Sequence, residues 1–496
     1  MPAPMTMASK EVRASARGAA SGRAWSGIRL SPAMIAPIVP PPGRDGQARP
    51  RGRGCAMAGG THARLALVAL GTVAVALDTA LNIAFPAMTA HFGLALPAIQ
   101  WVPVCYMLAF GSLMLGAGRL GDILGHGPVF RIGLGVTALG QALCAAAPSY
   151  PLLLGGRAVQ GVGAALVIGC GPALVTGLYP EALRPRLLGV YALVFAVGAV
   201  LGPSLGALAL QAWGWPAVFW TRAPLALLPM LLLRGLPAPP RDGGREPFDL
   251  PGALLLVLAI IALLLAVNQA RYLAQGAALP LAALAAASFW GFLRRSRRVP
   301  HPIMDLSHFR RPGFARLNAA NALVNLAGFA VLLLVPYHLT GPAGLPTLAA
   351  GLVLAAAPGG TALAAAPAGW LLARLPPWRM VQAGAACTAL GLGLVALWDA
   401  ATPVAAMVAC LLLAGIGQGL VQVAYAEIIL TTLPRHQRGV AGSLTMMTRT
   451  LGIVAGAMLL ALWFESWAPP FERGFAATFV FAAATSGAAL LMLRRP

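Results

Sequence analysis

Residues 187–210 read LLGVYALVFAVGAVLGPSLGALAL. This is one apolar run of helix length in which Gly198, Gly202 and Gly206 recur at every fourth position. On a helix that spacing leaves a bare stripe along one face, and in a membrane such a stripe lets a neighbouring backbone approach closely. Pro203 follows Gly202 directly; it has no N–H to donate and bends a helix where the packing is tightest. With Gly189 the full pattern is G-x8-G-x3-GP-x2-G, a far rarer string than a small-residue stripe alone.

The rest of the chain has the same character. Hydrophobic residues make up 59% and charged residues only 10%, and mean hydropathy is +0.78. These values exclude a soluble globular protein. A hydrocarbon core of about 30 Å takes about 20 apolar residues per helix. Fourteen such runs fit between Leu65 and Leu493, beginning near residues 66, 99, 129, 151, 187, 217, 251, 277, 317, 348, 380, 403, 439 and 474. The expected fold is therefore an all-α, multi-pass membrane protein with the lipid bilayer as its partner.

The formal charge of +22 belongs to topology and not to nucleic-acid binding. Alternate connections and the C-terminus hold twenty arginines, whereas the opposite connections hold Arg222, Arg271 and Arg473. That asymmetry follows the positive-inside rule and puts both termini in the cytoplasm. The six cysteines are scattered without metal-binding spacing, so no metal site or disulfide framework is expected. Residues 1–64 are a basic Pro/Gly/Ala-rich tail with no apolar stretch long enough for a signal-peptide core. They read either as disordered or as lying partly upstream of an initiating Met57.

The chain also repeats itself. Gly189-Val190, Leu201-Gly202 and Gly206-Ala207 recur as Gly439-Val440, Leu451-Gly452 and Gly456-Ala457. Gly118-x-Leu120 recurs as Gly369-x-Leu371, and Gln160-Gly161 as Gln418-Gly419. Parallel halves of this kind, related by an axis along the membrane normal, are a mark of major facilitator proteins. The expected organisation is a six-helix bundle over 65–234, a helix pair over 235–300, a second six-helix bundle over 301–493, and a cytoplasmic end at 494–496.

Charged residues inside apolar helices are costly, so function is their default reading. Asp78 sits in Ala-Leu-Asp-Thr-Ala-Leu-Asn-Ile-Ala-Phe-Pro near the centre of helix 1, with Asn82 and Pro86 following at i+4 and i+8 on the same face. Arg157 lies in Arg-Ala-Val-Gln160-Gly161-Val-Gly163 of helix 4. Helical rise places Asp78 about 18 Å and Arg157 about 20 Å above the inner face, so the two share a depth. A carboxylate in a low-dielectric site holds a proton tightly, and a guanidinium beside it loosens that hold. A pair that meets and parts would thus be a proton switch. Glu427, near the inner end of helix 12, forms a polar ladder with Gln418 and Gln422; it is a second proton site, a substrate contact, or an interfacial residue near Arg435 and Arg438. Arg449 in helix 13 is a candidate partner for it.

The helix 1 segment, together with Gln100-Trp101 and Tyr106 in helix 2, closely resembles the EmrB/QacA-type family of fourteen-helix drug:proton antiporters within the major facilitator superfamily. Asp78, Asn82 and Pro86 match that family's first-helix motif. The Arg157-x-x-Gln160-Gly161-x-Gly163 string is similar to its helix 4 motif, whose arginine is linked to proton coupling. The 187–210 string resembles its antiporter motif, with Ala207 where a second glycine is usual. Gly118-Arg-Leu-Gly-Asp122-Ile-Leu-Gly125, placed in the loop after helix 2, resembles the cytoplasmic gate motif. Ile123, His126 and Gly127 stand there in place of basic residues. Arg222 stands where relatives commonly carry Asn.

The resemblance implies a major facilitator fold of two six-helix bundles plus an inserted pair, acting as a monomer in the cell membrane. It implies export of a small organic molecule, a drug or antibiotic, in exchange for protons. The proton gradient would be the energy source, with no cofactor. Asp78, Arg157 and Glu427 are the expected coupling residues. Asn82, Tyr106, Gln160, Gln418 and Gln422 are expected at the substrate cavity, with Phe195, Tyr337 and Tyr425 as further aromatics. The alternatives are a metabolite exporter on the same fold or a non-transporting membrane sensor. No phosphate-cradling GxxxxGKS/T string is present, and no catalytic set can be assembled, so an enzyme is not expected.

Overall fold

The computed structural model describes residues 54–179, 183–233, 249–272, 275–299, 312–432 and 438–493. Among these there is no strand. The first helix runs as α1 (Gly54–Ala76), a 3-10 segment (Leu77–Ala84) and α2 (Phe85–Phe92). After a 3-10 turn (Leu96–Gln100) come α3 (Trp101–Leu124), α4 (His126–Ala145), α5 (Tyr150–Gly177) and α6 (Arg184–Trp213). Next are α7 (Ala217–Trp220), α8 (Ala223–Leu232), α9 (Leu250–Tyr272) and α10 (Gln275–Ser296). The second half contains α11 (Pro312–Thr340), α12 (Thr347–Leu354), α13 (Ala356–Leu372), α14 (Pro377–Val395), α15 (Val404–Thr432), α16 (Arg438–Trp467) and α17 (Phe471–Met492).

Helix occupies each run expected from hydropathy, and ten helices among the described residues are long and apolar enough to cross a membrane. Ten of the fourteen expected crossings meet this measure of length and composition. Ala217–Leu232 is a shorter apolar helix, because Pro224 interrupts the hydrogen-bond ladder and splits α7 from α8.

The halves repeat in three dimensions. A side chain at Gly163 in α5 would meet Thr137 and Gly133 of α4; one at Gly417 in α15 would meet Thr388 and Gly384 of α14. Gly161 faces the Tyr106 carbonyl of α3 as Gly415 faces the Ala357 carbonyl of α13. These contacts pair Gly161 with Gly415, not with Gly419, so the expected match of Gln160 to Gln418 is one helical turn out. Gly- and Ala-rich helices match in more than one register, and only the packing chooses between them. In the true register Arg157 and Gln160 correspond to Leu411 and Ala414.

The apolar core shows how the halves meet. At the end remote from the chain termini, residues of both halves form one cluster, including Phe85, Met88 and Ile99 with Phe329, Leu333 and Val353. The Thr89 and Tyr337 hydroxyls share a hydrogen bond there, and Gly351 of α12 packs on Ala207 and Pro203 of α6. Toward the termini each half has a separate core, one around Phe130, Leu134 and Val167 and the other around Met380, Val421 and Tyr425. Among the described residues no buried apolar cluster bridges the halves at that end. The pair α9–α10 packs on itself, with α9 against α3 and α16 at the seam. Asp249 holds the pair's ends together by accepting from the Gly252 N–H at 3.0 Å and pairing with Arg295.

The sequence Gly118–Gly125 is not a loop. It continues α3 as helix to Leu124, and Gly125 alone turns the chain into α4 with φ 93°, a conformation that favours glycine. The Asp122 side chain lies outside the described residues, as do residues 1–53 of the tail.

Candidate functional site

Asp78 is carried by the 3-10 segment in the middle of the first helix, and Pro86 explains why the helix tightens there. Pro86 has no N–H to give the Asn82 carbonyl four residues back, and that carbonyl accepts from the Phe85 N–H three residues on. With about three residues per turn, Asn82 is rotated by about 120° from Asp78. The expectation of one shared face for Asp78, Asn82 and Pro86 therefore fails, and Asn82 is not among the hydrogen-bond partners of Asp78.

Four side-chain contacts converge on the Asp78 carboxylate. Arg157 donates from Nη1 to Oδ1 and from Nη2 to Oδ2, both at 2.8 Å. Gln160 donates from Nε2 to Oδ1 at 3.0 Å. Arg222 donates from Nη1 to the same Oδ1, also at 3.0 Å. The two-pronged geometry is the one a guanidinium fork favours for a carboxylate. Arg157 is itself fixed: its Nε donates to the Val102 carbonyl at 3.1 Å, its Nη1 to Gln160 Oε1 at 2.7 Å, and it lies over the Tyr106 ring at 4.4 Å. It is 1% exposed, so this guanidinium is wholly inside protein.

Arg222 has no role that the sequence alone assigns. It sits at the break between α7 and α8, and its Nε donates to the Val218 carbonyl at 2.7 Å. Its place in the chain groups it with the outer connections, but at 3% exposure it is interior. The break at Thr221–Arg222, one turn before Pro224, turns it inward. Its Nη2 is buried with no acceptor. The cluster therefore has two guanidinium groups for one carboxylate, a net positive charge inside the first bundle.

The glycine stripe packs behind this cluster. A side chain at Gly198 would meet Ala76; at Gly202, the Thr79 hydroxyl and, at 2.9 Å, the Ala80 nitrogen; at Gly206, the Ala80 backbone. Thr79 donates its hydroxyl to the Ala199 carbonyl at 2.8 Å, closing the contact. Gly189 meets nothing within 4 Å and stands apart from the stripe. Pro203 lies within the continuous α6 and faces the second half at Gly351. In the second half Gly452 and Gly456 of α16 approach Ala322 and Leu326 of α11 in the same way.

Other expected cavity residues are placed differently. Tyr106 and Gln160 are consumed by the ion cluster, beneath Arg157 and between the two charges. Tyr425 is fully buried, and its hydroxyl donates to Asn318 at 2.7 Å, so it offers no surface to a ligand. Gln418 lies against Gly328 of α11, while Gln422 and Glu427 are half-buried on α15. Glu427 forms no ion pair with Arg449; the expected contacts with Arg435 and Arg438 fall on side chains outside the described residues. Arg449 is half-buried on α16.

A helical membrane protein built of two repeated halves, with an ion cluster set among its spans, has the build of a secondary transporter. Residues 67–457 match the model of the Major Facilitator Superfamily. The chain belongs to that family, and it is a multi-pass membrane protein of transporter type. Among its relatives is the riboflavin transporter RibZ of Clostridioides difficile, 28% identical over 402 residues, covering 81% of this chain and 87% of the relative. The multidrug efflux pump LfrA of Mycolicibacterium smegmatis is 29% identical over 409 residues, covering 81% of each. In fold the chain is similar to a bacterial homologue of the human lysosomal transporter Spinster, solved inward-facing and unoccupied. That likeness has a TM-score of 0.64 at 15% identity, over 89% of this chain and 98% of the other.

Proposed function

We propose that this protein exports small organic molecules, drugs or antibiotics, across the bacterial cell membrane in exchange for protons. The observation that carries the reading is the Asp78 carboxylate, held in mid-membrane by Arg157 and Arg222. Removing one partner from a buried ion pair costs about 3–5 kcal/mol. With two guanidinium groups available, Asp78 can lose Arg157 during rocking and still keep a counter-charge. Its proton enters when Arg157 draws back and only Arg222 remains beside the carboxylate, and leaves when Arg157 returns. Protonation and substrate binding then favour different states of one two-state equilibrium, which is the requirement for exchange.

The shared core at the far end and the separate cores toward the termini support a state open on the terminal side. With both termini cytoplasmic, as the arginine asymmetry favours, that state faces inward and is ready to load substrate. The stripe on α6 holds the first helix at backbone distance beside Asp78 and serves as the seal against proton leak. We assign the remaining helices, Ala217–Leu232, α9, α10 and α14, as further spans, giving fourteen, and a monomer as the working unit.

A second reading is export of an endogenous metabolite, favoured by the relative named as a riboflavin transporter. The excess of guanidinium over carboxylate favours neutral or anionic substrates over dications in either case. Cells with and without the protein, exposed to a panel of dyes and antibiotics, test the function. Lower accumulation that is lost on collapsing the proton gradient supports it. Equal accumulation of every compound contradicts it.

A further inference from the structure

A cleft of about 470 Å³ opens between α6, the first helix and α7–α8, lined by Leu77, Leu205, Leu208, Ala212, Trp213 and Arg222 among others. Its volume is in the range of small-molecule sites, about 300–1,000 Å³. It is not part of the space between the two halves. Ala207 marks the face of α6 that meets the second half. At about 100° per residue, Leu208, Ala212 and Leu205 lie about 100–160° around the helix from it. All three are exposed, as is Trp213, so the mouth faces the bilayer.

The wall is apolar except for Thr221, Arg222 and the indole N–H of Trp213. Arg222 is almost fully buried, and its Nη2, which has no acceptor, stays closed off until the cleft wall shifts to admit a head group. A buried donor without a partner is an unfavourable arrangement that an incoming acceptor relieves. The local charge is net positive, so a carboxylate completes the balance where a cation would worsen it. Hydrocarbon tails leave one apolar surrounding for another on entering from lipid, so the head group sets the preference.

We propose that this lateral cleft binds a single-chain amphiphile with a carboxylate head, a fatty acid, which enters from the bilayer and places its head at Arg222. Bound there, it competes with Asp78 for the same guanidinium, so membrane fatty acid modulates the ion cluster from outside the transport path. The site stands whether or not Asp78 carries protons.

The test uses the full chain in lipid nanodiscs with two photoreactive probes of equal tail length, hexadecanoic acid and hexadecylamine, mapped by peptide mass spectrometry. The acid is expected to label the stretch 205–225 about tenfold more than the amine, the worth of one charge-assisted hydrogen bond, and to be displaced by plain hexadecanoic acid. Leu208→Trp fills the cleft without touching Arg222 and should remove the labelling. Ala212→Leu serves the same purpose if the first variant does not fold. Equal labelling by acid and amine, or labelling unchanged in the folded cleft-filling variant, would mean ordinary annular lipid and overturn the proposal.

Discussion

Replacing Gly206 by alanine should disable coupling while leaving a folded protein. The added Cβ would sit 2.9 Å from the Ala80 Cα and carbonyl carbon and closer still to its oxygen, whereas ordinary contact begins at 3.4 Å. The neighbour is backbone, so no rotamer change relieves the clash. The first helix must recede by roughly 0.5 Å to relieve the carbon contacts, and by more to relieve the oxygen, before van der Waals contact is restored. Ala80 is two residues from Asp78, so the displacement reaches hydrogen bonds that are now 2.8–3.0 Å long. Overpacking costs about 1–3 kcal/mol, or about five- to 150-fold in a two-state equilibrium. The gain in helix propensity from Gly to Ala, up to about 1 kcal/mol, acts in every state in which α6 stays helical and does not offset that shift. Gly189→Ala is the matched control, because a side chain there meets open space. Reconstituted vesicles with an imposed pH gradient, with thermal melting in parallel, read both quantities. Coupled transport by Gly206→Ala equal to that of Gly189→Ala would refute the packing argument.

Other changes probe separate parts of the account. Arg222→Asn removes one of two positive charges from Asp78, so protonation becomes easier and the pH dependence of transport should move to higher pH; no movement, or movement to lower pH, would remove Arg222 from the coupling scheme. Gly351→Leu pushes a side chain into Ala207 and Pro203 and should open the far-end seal, seen as substrate leak without a gradient. Starting the chain at Met57 should leave membrane insertion and transport intact, because residues 1–56 lack any core-forming pattern; failure to insert would show the tail is needed.

Asp78 and Arg157 were legible in the sequence because a charge in an apolar helix must have a purpose, and helical rise alone put them at one depth. The glycine stripe was legible for a similar reason: three bare positions on one face imply a backbone against them, and that backbone is the Asp78 segment. Arg222 was not legible. It lies in a short, proline-broken helix beside what reads as an outer connection, where an arginine is unremarkable. Its Asp78 contact depends on the direction in which the α7–α8 break turns the chain. The 3-10 segment was in principle readable from Pro86, but a regular helical period hides it and wrongly aligns Asn82 with Asp78. Residues such as Tyr106 and Gln160 have the chemistry of cavity residues, and only the packing reveals that the ion cluster already uses them.

The central claim is that proton movement through Asp78 drives substrate movement. Its most direct test is proton flux into proteoliposomes, read with an enclosed pH-sensitive dye while a substrate from the panel is exchanged. The wild-type chain should show proton flux that depends on substrate, and Asp78→Asn should show none while still exchanging substrate across the membrane. Substrate-dependent proton flux undiminished in Asp78→Asn would contradict the account and make Glu427 the carboxylate to examine.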